Sequence, residues 1–380
     1  MSDLSTKPYK GTRDFYPADM RLRNYIFGKW RSVCESYGYM EYDASVIEPM
    51  ELFTAKTSEE IVSEQTFSFE DRGGRKVTLR PEMTPTVSRM VAARRQELGY
   101  PLRLYSIPNC FRYERMQRGR SREFWQLNAD LFGVESTEAD FEMIMLANDI
   151  LRSFDATPDM YEVRINSRRV MNLQVQSAEP TGKPSDVIRV IDQKDKLEPD
   201  VFVQKLSEVC AKPELIVAYL ESSVSTDPVV LDLVQRLQNS DVPVVYAPAT
   251  ARGFDYYTDI VFEVFDRDPD NNRSMFGGGR YDGLVGQFGV EPVATVGFGM
   301  GDVTLQNFLE SHKLLPELPV GIDIHLLVAP GKEQYAQEKA QSLRSEGKRV
   351  SVDFSGRKLE KQYKHAIKNG IAEESIQKVD

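Results

Sequence analysis

The chain has 380 residues, 41% hydrophobic and 28% charged, which fits a globular protein with a sizeable core and two or three domains. Its 48 basic side chains face 58 acidic ones, and the net charge of −10 excludes a general nucleic-acid coat protein without excluding local basic patches. No apolar run is long enough to span a bilayer, and MSDLSTKPYKGTRDF lacks the apolar core of a signal peptide. Cys34, Cys110 and Cys210 lie far apart and are odd in number, which points to a reduced, cytoplasmic setting with no disulfide frame. His312, His325 and His365 stand away from any cluster with metal-ligand spacing, so neither a structural zinc site nor a Ser-His-Asp mechanism is expected. Each is expected at the surface or between domains.

In chain order, Pro17 opens a helix to Tyr37, because Leu22, Ile26, Trp30, Val33 and Tyr37 recur on one face. Tyr39–Val46 reads as a strand. Gly73-Gly74 turns between strands at Thr66–Glu70 and Lys76–Leu79. Thr84 then reads as an N-cap and Pro85 as the first residue of a helix to about Gln96. Capping accounts for Thr84 but leaves Glu82 unexplained; a ligand at the strand–helix junction accounts for both.

The stretch Phe111–Gly133 is strand, basic loop, strand. Alternation puts Gln126, Asn128 and Asp130 on one face of the second strand, and Cys110, Arg112 and Glu114 on one face of the first, from about Leu104 to Glu114. Paired, these give either a solvated polar face or a floor for a polar small molecule. The loop holds Arg115, Arg118, Arg120 and Arg122, and an arginine fork suits phosphate or carboxylate. A helix over Thr137–Phe154 and a strand at Tyr161–Asn166 follow. Ser167–Ser240 is helical in pattern, with Pro180, Pro184, Pro199, Pro213 and Pro228 as punctuation, and holds no chemistry-bearing cluster.

Strands resume at Pro243–Tyr246 and Thr258–Phe265, the second preceded by Arg252-Gly253-Phe254-Asp255-Tyr256-Tyr257. Gly277-Gly278-Gly279 reads as a sharp turn or a close approach of backbone to a ligand. A strand at Thr295–Met300 leads into a helix at Asp302–Ser311. The tail alternates strand and helix at Asp323–Ala329, Lys332–Ser345, Arg349–Asp353 and Lys358–Asn369, a small α/β unit. In its last helix Arg357, Lys361, Lys364 and Lys368 share one side, while Leu359, Tyr363, Ala366 and Ile367 are expected to face the sheet. Residues 321–380 carry 11 basic and 9 acidic side chains against a net −12 for the rest.

Taken together, KGTRDFYP, LRPEMTP, FRYERMQRGRSREFWQLNADLFG, ARGFDYYTDIVFEVF, GGGRYDGL and VGFGMG resemble histidyl-tRNA synthetase, a class II aminoacyl-tRNA synthetase. The resemblance implies an α+β fold: an antiparallel sheet flanked by helices (1–166 and 243–316), a helical insertion (167–242) and an incomplete anticodon-binding α/β domain (320–380). It implies a homodimer that activates histidine with ATP and Mg2+ and passes it to histidine tRNA. By position, Arg112 and Arg252 would contact the α-phosphate, Arg112 also the histidine carboxylate. Glu114 would meet the adenine and Arg120 the outer phosphates. Glu82, Thr84 and Gln126 would surround the amino group, with Asp130, Tyr256, Tyr257 and Tyr281 about the imidazole. Lys361 and Lys364 would face tRNA.

The chain departs from the family pattern twice. Thr304 stands where class II enzymes carry an arginine for the γ-phosphate, leaving Arg120 or Arg280 to replace it, and the tail is expected to stop after its second helix. The alternative the resemblance implies is a non-catalytic histidine sensor, the regulatory subunit of ATP phosphoribosyltransferase.

Overall fold

A computed structural model describes residues 4–54, 65–114, 119–194, 197–251, 256–271 and 274–380. These residues form two compact units, residues 1–14 with 26–315 and residues 15–25 with 316–380.

The first unit is built on a nine-stranded sheet. Its strands are β1 (Met40–Glu41), β5 (Leu102–Ser106), β7 (Glu123–Phe132), β12 (Thr295–Gly301), β11 (Ser274–Arg280), β10 (Ile260–Asp266), β8 (Tyr161–Ser167) and β9 (Val244–Tyr246), neighbours in that order, with β6 (Asn109–Phe111) paired to β7. Pairing is antiparallel except at the edges, where β1 joins β5 and β9 joins β8 in parallel. A smaller antiparallel sheet holds β2 (Ile47–Pro49), β4 (Lys76–Leu79) and β3 (Phe67–Glu70). The expected strand over Tyr39–Val46 is thus only β1, followed by a loop into β2.

The expected hairpin is present, but its first strand is divided. Pro108 has no N–H to donate and interrupts the ladder between β5 and β6, while its carbonyl accepts from the Gln126 N–H at 3.0 Å. On β7, Leu127, Ala129 and Leu131 are buried on the face covered by the helices Glu138–Ser153 and Asp302–Ser311. The helix Thr84–Ala93 covers part of the other face, where Val87, Val91, Leu102, Phe132 and Val293 pack together. Thr84 is not the cap expected of it. Met83 holds that position without a side-chain bond, and Thr84 is the first helical residue.

Between β8 and β9 the described residues form five α-helices: Arg168–Ser177, Pro184–Ile191, Pro199–Val209, Pro213–Leu220 and Pro228–Asn239. Four begin on proline, whose fixed φ suits a first turn that needs no N–H. Ser167 and Asp227 cap the first and last with side-chain oxygens.

The glycine run is not a turn. Gly277, Gly278 and Gly279 lie inside β11, flanked on both sides by strands. Arg280, at the end of β11, is withdrawn from ligand duty as well. It is buried, with Nε on Asp140 at 3.2 Å and its two terminal nitrogens on the carbonyls of Val134 and Ser136 at 3.0 Å each. Cys34, Cys110 and Cys210 are buried thiols.

The second unit is a three-stranded parallel sheet in the order β14 (Val350–Asp353), β13 (Ile324–Val328), β15 (Ile376–Val379). Its helices are Glu333–Ser345 and Leu359–Lys368. Strand β15 corrects the expectation that the tail stops after its second helix. Ile367 is exposed rather than facing the sheet, and Gln362 is buried instead, bonded at 2.8 Å to both the N–H and the carbonyl of Val328. His325 is no surface residue either: it is buried on β13 with Nδ1 2.7 Å from the Ser351 hydroxyl. His312 belongs to the first unit, where Nε2 meets Asp266 at 2.7 Å.

Replacing Asp140 by Ala removes the buried counter-charge of the Arg280 guanidinium and leaves it only the more exposed Asp282 at 3.5 Å. We expect a loss of about 3–5 kcal/mol in urea unfolding; a loss under 1 kcal/mol would mean the carbonyls of Val134 and Ser136 suffice.

Candidate active site

The register of the large sheet builds the site. Gln126, Asn128 and Asp130 on β7 lie opposite Gly301, Gly299 and Gly297 on β12, and Gly299 and Gly297 lie opposite Gly277 and Gly279 on β11. Directly paired residues share a face. Three polar side chains therefore stand beside a patch of glycines on two strands that adds no side chains at the facing positions. A Cβ at Gly299 would collide with the Gln126 amide, one at Gly297 with Asp130 and the Tyr281 hydroxyl, and one at Gly279 would lie 2.9 Å from the Tyr257 ring.

A cavity of about 350 Å³ opens over this floor. Glu82 and Thr84 reach it from the junction of β4 and the following helix, Arg112, Glu114 and Arg120 from the hairpin, Gln126 and Asn128 from β7. Tyr256, Tyr257 and Tyr281 close one end. Their ring centroids lie 4.9, 5.5 and 6.4 Å apart, an aromatic box packed with Val261 and Leu284. Tyr256 donates to Glu82 Oε2 at 3.2 Å, tying the box to the strand–helix junction.

Asp130 is placed differently from expectation. It is 1% exposed and lies behind Tyr281, which lines the cavity and donates its hydroxyl to Asp130 Oδ1. Burial pushes the Asp130 carboxyl up to about 7, against the opposing bond from Tyr281. Burial and the nearby carboxylate also push Tyr281 well above the ordinary tyrosine range.

The arginines divide by role. Arg112 lies over the Phe124 ring at 5.3 Å and donates Nε to the Pro81 carbonyl at 2.9 Å, leaving its terminal nitrogens toward the cavity with Glu114 3.9 Å away. Arg120 is half exposed and reaches Glu114 at 3.1 Å. Arg122, although in the same loop sequence, is structural. It stacks over Tyr113 at 3.8 Å, and its N–H donates to the Gly11 carbonyl at 2.8 Å. Gly11, with φ +90°, allows the N-terminal segment to approach that side chain closely. Arg115, Arg118 and Arg252 lie outside the described residues.

Thr304 faces the cavity, but its hydroxyl is turned inward to the carbonyls of Met275 at 2.8 Å and Gly301 at 3.2 Å. Glu263 on β10 also lines the cavity. In the second unit, Arg357, Lys361, Lys364 and Lys368 are exposed, and Lys364 pairs with Glu360 at 2.9 Å.

The histidyl-tRNA synthetase family model matches residues 11–302. The chain is 41% identical over 389 aligned positions to the histidine–tRNA ligase of Leptospira biflexa, covering 97% of this chain and 89% of that one. It is 34% identical to the histidine–tRNA ligase of Haloarcula marismortui, covering 97% and 88%. Its fold matches the crystal structure of histidyl-tRNA synthetase from Nostoc sp. PCC 7120 with a TM-score of 0.77 at 23% identity, over 97% of this chain and 90% of that one.

The raised Asp130 carboxyl sets a pH dependence. The native state holds this proton up to about pH 7, whereas an unfolded aspartate releases it near 4, so between those values folding binds a proton and stability falls as pH rises. Asp130→Asn has no such ionisation. Its stability relative to the parent should therefore grow by up to about 4 kcal/mol from pH 4 to pH 8. Guanidinium midpoints at pH 4, 6 and 8 check this; a pH-independent gap would show that Asp130 does not titrate in that range.

Proposed function

The chain belongs to the histidyl-tRNA synthetase family, and on that footing we propose that it activates histidine with ATP and transfers the histidyl group to the 3′ end of histidine tRNA. The observation that carries this reading is the meeting of Glu82, Thr84, Arg112, Glu114, Arg120, Gln126 and the tyrosine box in one cavity, within the stretch the family model covers. A histidine sensor without chemistry draws support from Thr304, but the curated relatives at 34–41% identity are ligases.

In this reading the histidine carboxylate attacks the α-phosphorus of ATP. A carboxylate O–P bond forms and the bond to pyrophosphate breaks. A terminal ribose hydroxyl of tRNA then attacks the histidyl carbonyl, and AMP leaves. The nucleophile of the first step is already ionised, so no catalytic histidine is required. The protein's part is positioning, worth roughly 7–11 kcal/mol in favourable cases, and preorganised donors at about 3–4 kcal/mol each. Arg112 supplies such donors from the hairpin, and Arg252 is assigned to the opposite side of the same phosphate. Glu114 meets the adenine and Arg120 the outer phosphates. Glu82, Thr84 and Gln126 take the amino group.

At the imidazole end, Tyr281 presents a phenolic oxygen whose proton is committed to Asp130. It therefore accepts from a ring N–H, with Tyr256 and Tyr257 enclosing the ring. A substrate unable to donate there leaves this buried pair unsatisfied, a strong basis for rejection.

Mg2+ fits the chemistry of the cavity, because the Glu263 carboxylate lines it together with Arg112 and Arg120, the side chains assigned to phosphate. Bound there, the ion would offset charge on the phosphate oxygens. We further assign a homodimer in the cytoplasm, and a division of the chain into a catalytic sheet (1–166 and 243–316), a helical insertion (167–242) and a tRNA-facing tail domain (320–380).

Histidine-dependent exchange of pyrophosphate into ATP tests the activity. We expect exchange by the parent, and single-turnover adenylate formation slowed about 10²–10³-fold by Arg112→Ala. Folded protein that binds histidine without exchange would instead be the sensor. Replacing Lys361 and Lys364 by Gln is expected to weaken tRNA binding and to flatten its dependence on log salt by up to about one unit per lost phosphate contact. Parallel salt plots for parent and variant would remove that face from the tRNA contact.

A further inference from the structure

Behind the tyrosine box the polar face of the sheet continues onto β5 and the segment after β1. The parallel pairs Met40 with Leu104 and Glu41 with Tyr105 are extended by a 2.9 Å bond from the Tyr42 N–H to the Tyr105 carbonyl. Alternation therefore puts Tyr42 on the same face as Leu104 and Ser106. Ser106 lies opposite Asn128, and Leu104 opposite Asp130. Tyr42, Ser106 and Asp130 thus share the face that carries the cavity. The Tyr42 ring packs against the cluster of Val87, Val91 and Phe132, which anchors it from the apolar side.

The Tyr42 hydroxyl, the Ser106 hydroxyl and Asp130 Oδ2 are all sealed from solvent, and among the described residues none makes a hydrogen bond of good geometry, although the Tyr42 and Ser106 hydroxyls lie close enough to interact and Asp130 is within reach of Tyr42. Buried polar atoms are nearly always bonded. Two hydroxyls beside one carboxyl oxygen, with Tyr42 within reach of both Ser106 and Asp130, match a buried water, which typically makes about three hydrogen bonds.

Resting on the reading of the cavity as a histidine site, we propose that Tyr42 is a positioning residue for that site: with Ser106 it holds a water on the free oxygen of Asp130. The carboxylate is then fixed at both oxygens, by Tyr281 on one and the water on the other. It cannot rotate, and the Tyr281 oxygen faces the imidazole in a single orientation. The same water favours the ionised carboxylate, opposing the burial that pushes Asp130 up to about 7. The other titratable and charged groups around Asp130 and Tyr42 are Tyr281 and Tyr256 from the box, Tyr39 before β1, and Arg80 and Cys110 beside Tyr42. Cys110 is pushed up to about 12 and the tyrosines Tyr39, Tyr42 and Tyr281 well above their ordinary range, all by burial first, so of these Asp130 is the one that titrates between pH 5 and 8.

The test is histidine binding to the full chain by calorimetry from pH 5.5 to 8.5, with Tyr42→Phe and Ser106→Ala. Tyr42→Phe keeps the ring and removes the hydroxyl. We expect affinity at pH 6.5 to fall about tenfold, the scale of one hydrogen bond to a charged group. The acid limb of the binding profile should move up by about one pH unit. Ser106→Ala should move it the same way, and the double variant no further than the larger single effect, because both hydroxyls hold one water. An unmoved acid limb in folded Tyr42→Phe overturns the proposal, whether or not affinity falls, because lost packing alone weakens binding equally at every pH. If Tyr42→Phe does not fold, Ser106→Ala decides by the same criterion. Failure of the parent to bind histidine at any pH would overturn the histidine-site reading instead.

Discussion

The site depends on absent atoms. Gly297 and Gly299 on β12 face Asp130 and Asn128 across a ladder that permits only a few ångströms between side chains, with Gly277 and Gly279 continuing the gap on β11. Glycine costs strand stability. Here that cost is met from the opposite side of the strand, where Val296, Phe298 and Met300 are buried. One face of β12 supplies core and the other supplies space, and the space lets Gln126, Tyr257 and Tyr281 converge. A cavity formed by missing side chains cannot widen without opening the sheet, so its shape is as rigid as the hydrogen-bond ladder around it.

Charge is handled by the same separation of structural from available groups. Arg280 is committed to Asp140 and two carbonyls, and Arg122 to Tyr113 and the N-terminal segment. Arg112 spends only its Nε on a protein carbonyl and keeps its terminal nitrogens toward the cavity. Arg120 keeps a half-exposed guanidinium near Glu114. Tyr281 and Asp130 add a neutral-to-anionic pair beside the tyrosine box. The two ends therefore suit different parts of one substrate: anionic groups under the hairpin, a donating ring in the tyrosine box.

Much of this was legible in the sequence because period-2 alternation is a local property. Gln126, Asn128 and Asp130 could be placed on one face of β7 without knowing their neighbours, and the helices at Glu138–Ser153 and Asp302–Ser311 followed from spacing. Partnership was not legible. Nothing near Arg280 in sequence announces Asp140, which lies on a helix 140 residues earlier. Nothing in Gly277–Gly279 distinguishes a turn from a strand that another strand must approach closely. The layering of Tyr281 in front of Asp130 likewise requires the register of three strands. The third strand of the tail, Ile376–Val379, was missed because four residues at a chain end carry too little periodicity, and Gln362 because a buried amide bonded to backbone has no signature of its own.

Thr304 has a consequence beyond its own hydroxyl. Gly119 of the hairpin loop takes φ +81° so close to it that a Cβ there would stand 3.6 Å from the Thr304 methyl and 3.8 Å from Asn307. A longer side chain introduced at 304 would press on Gly119. Position 304 and the hairpin loop therefore cannot change size independently, because added bulk at either one is felt by the other.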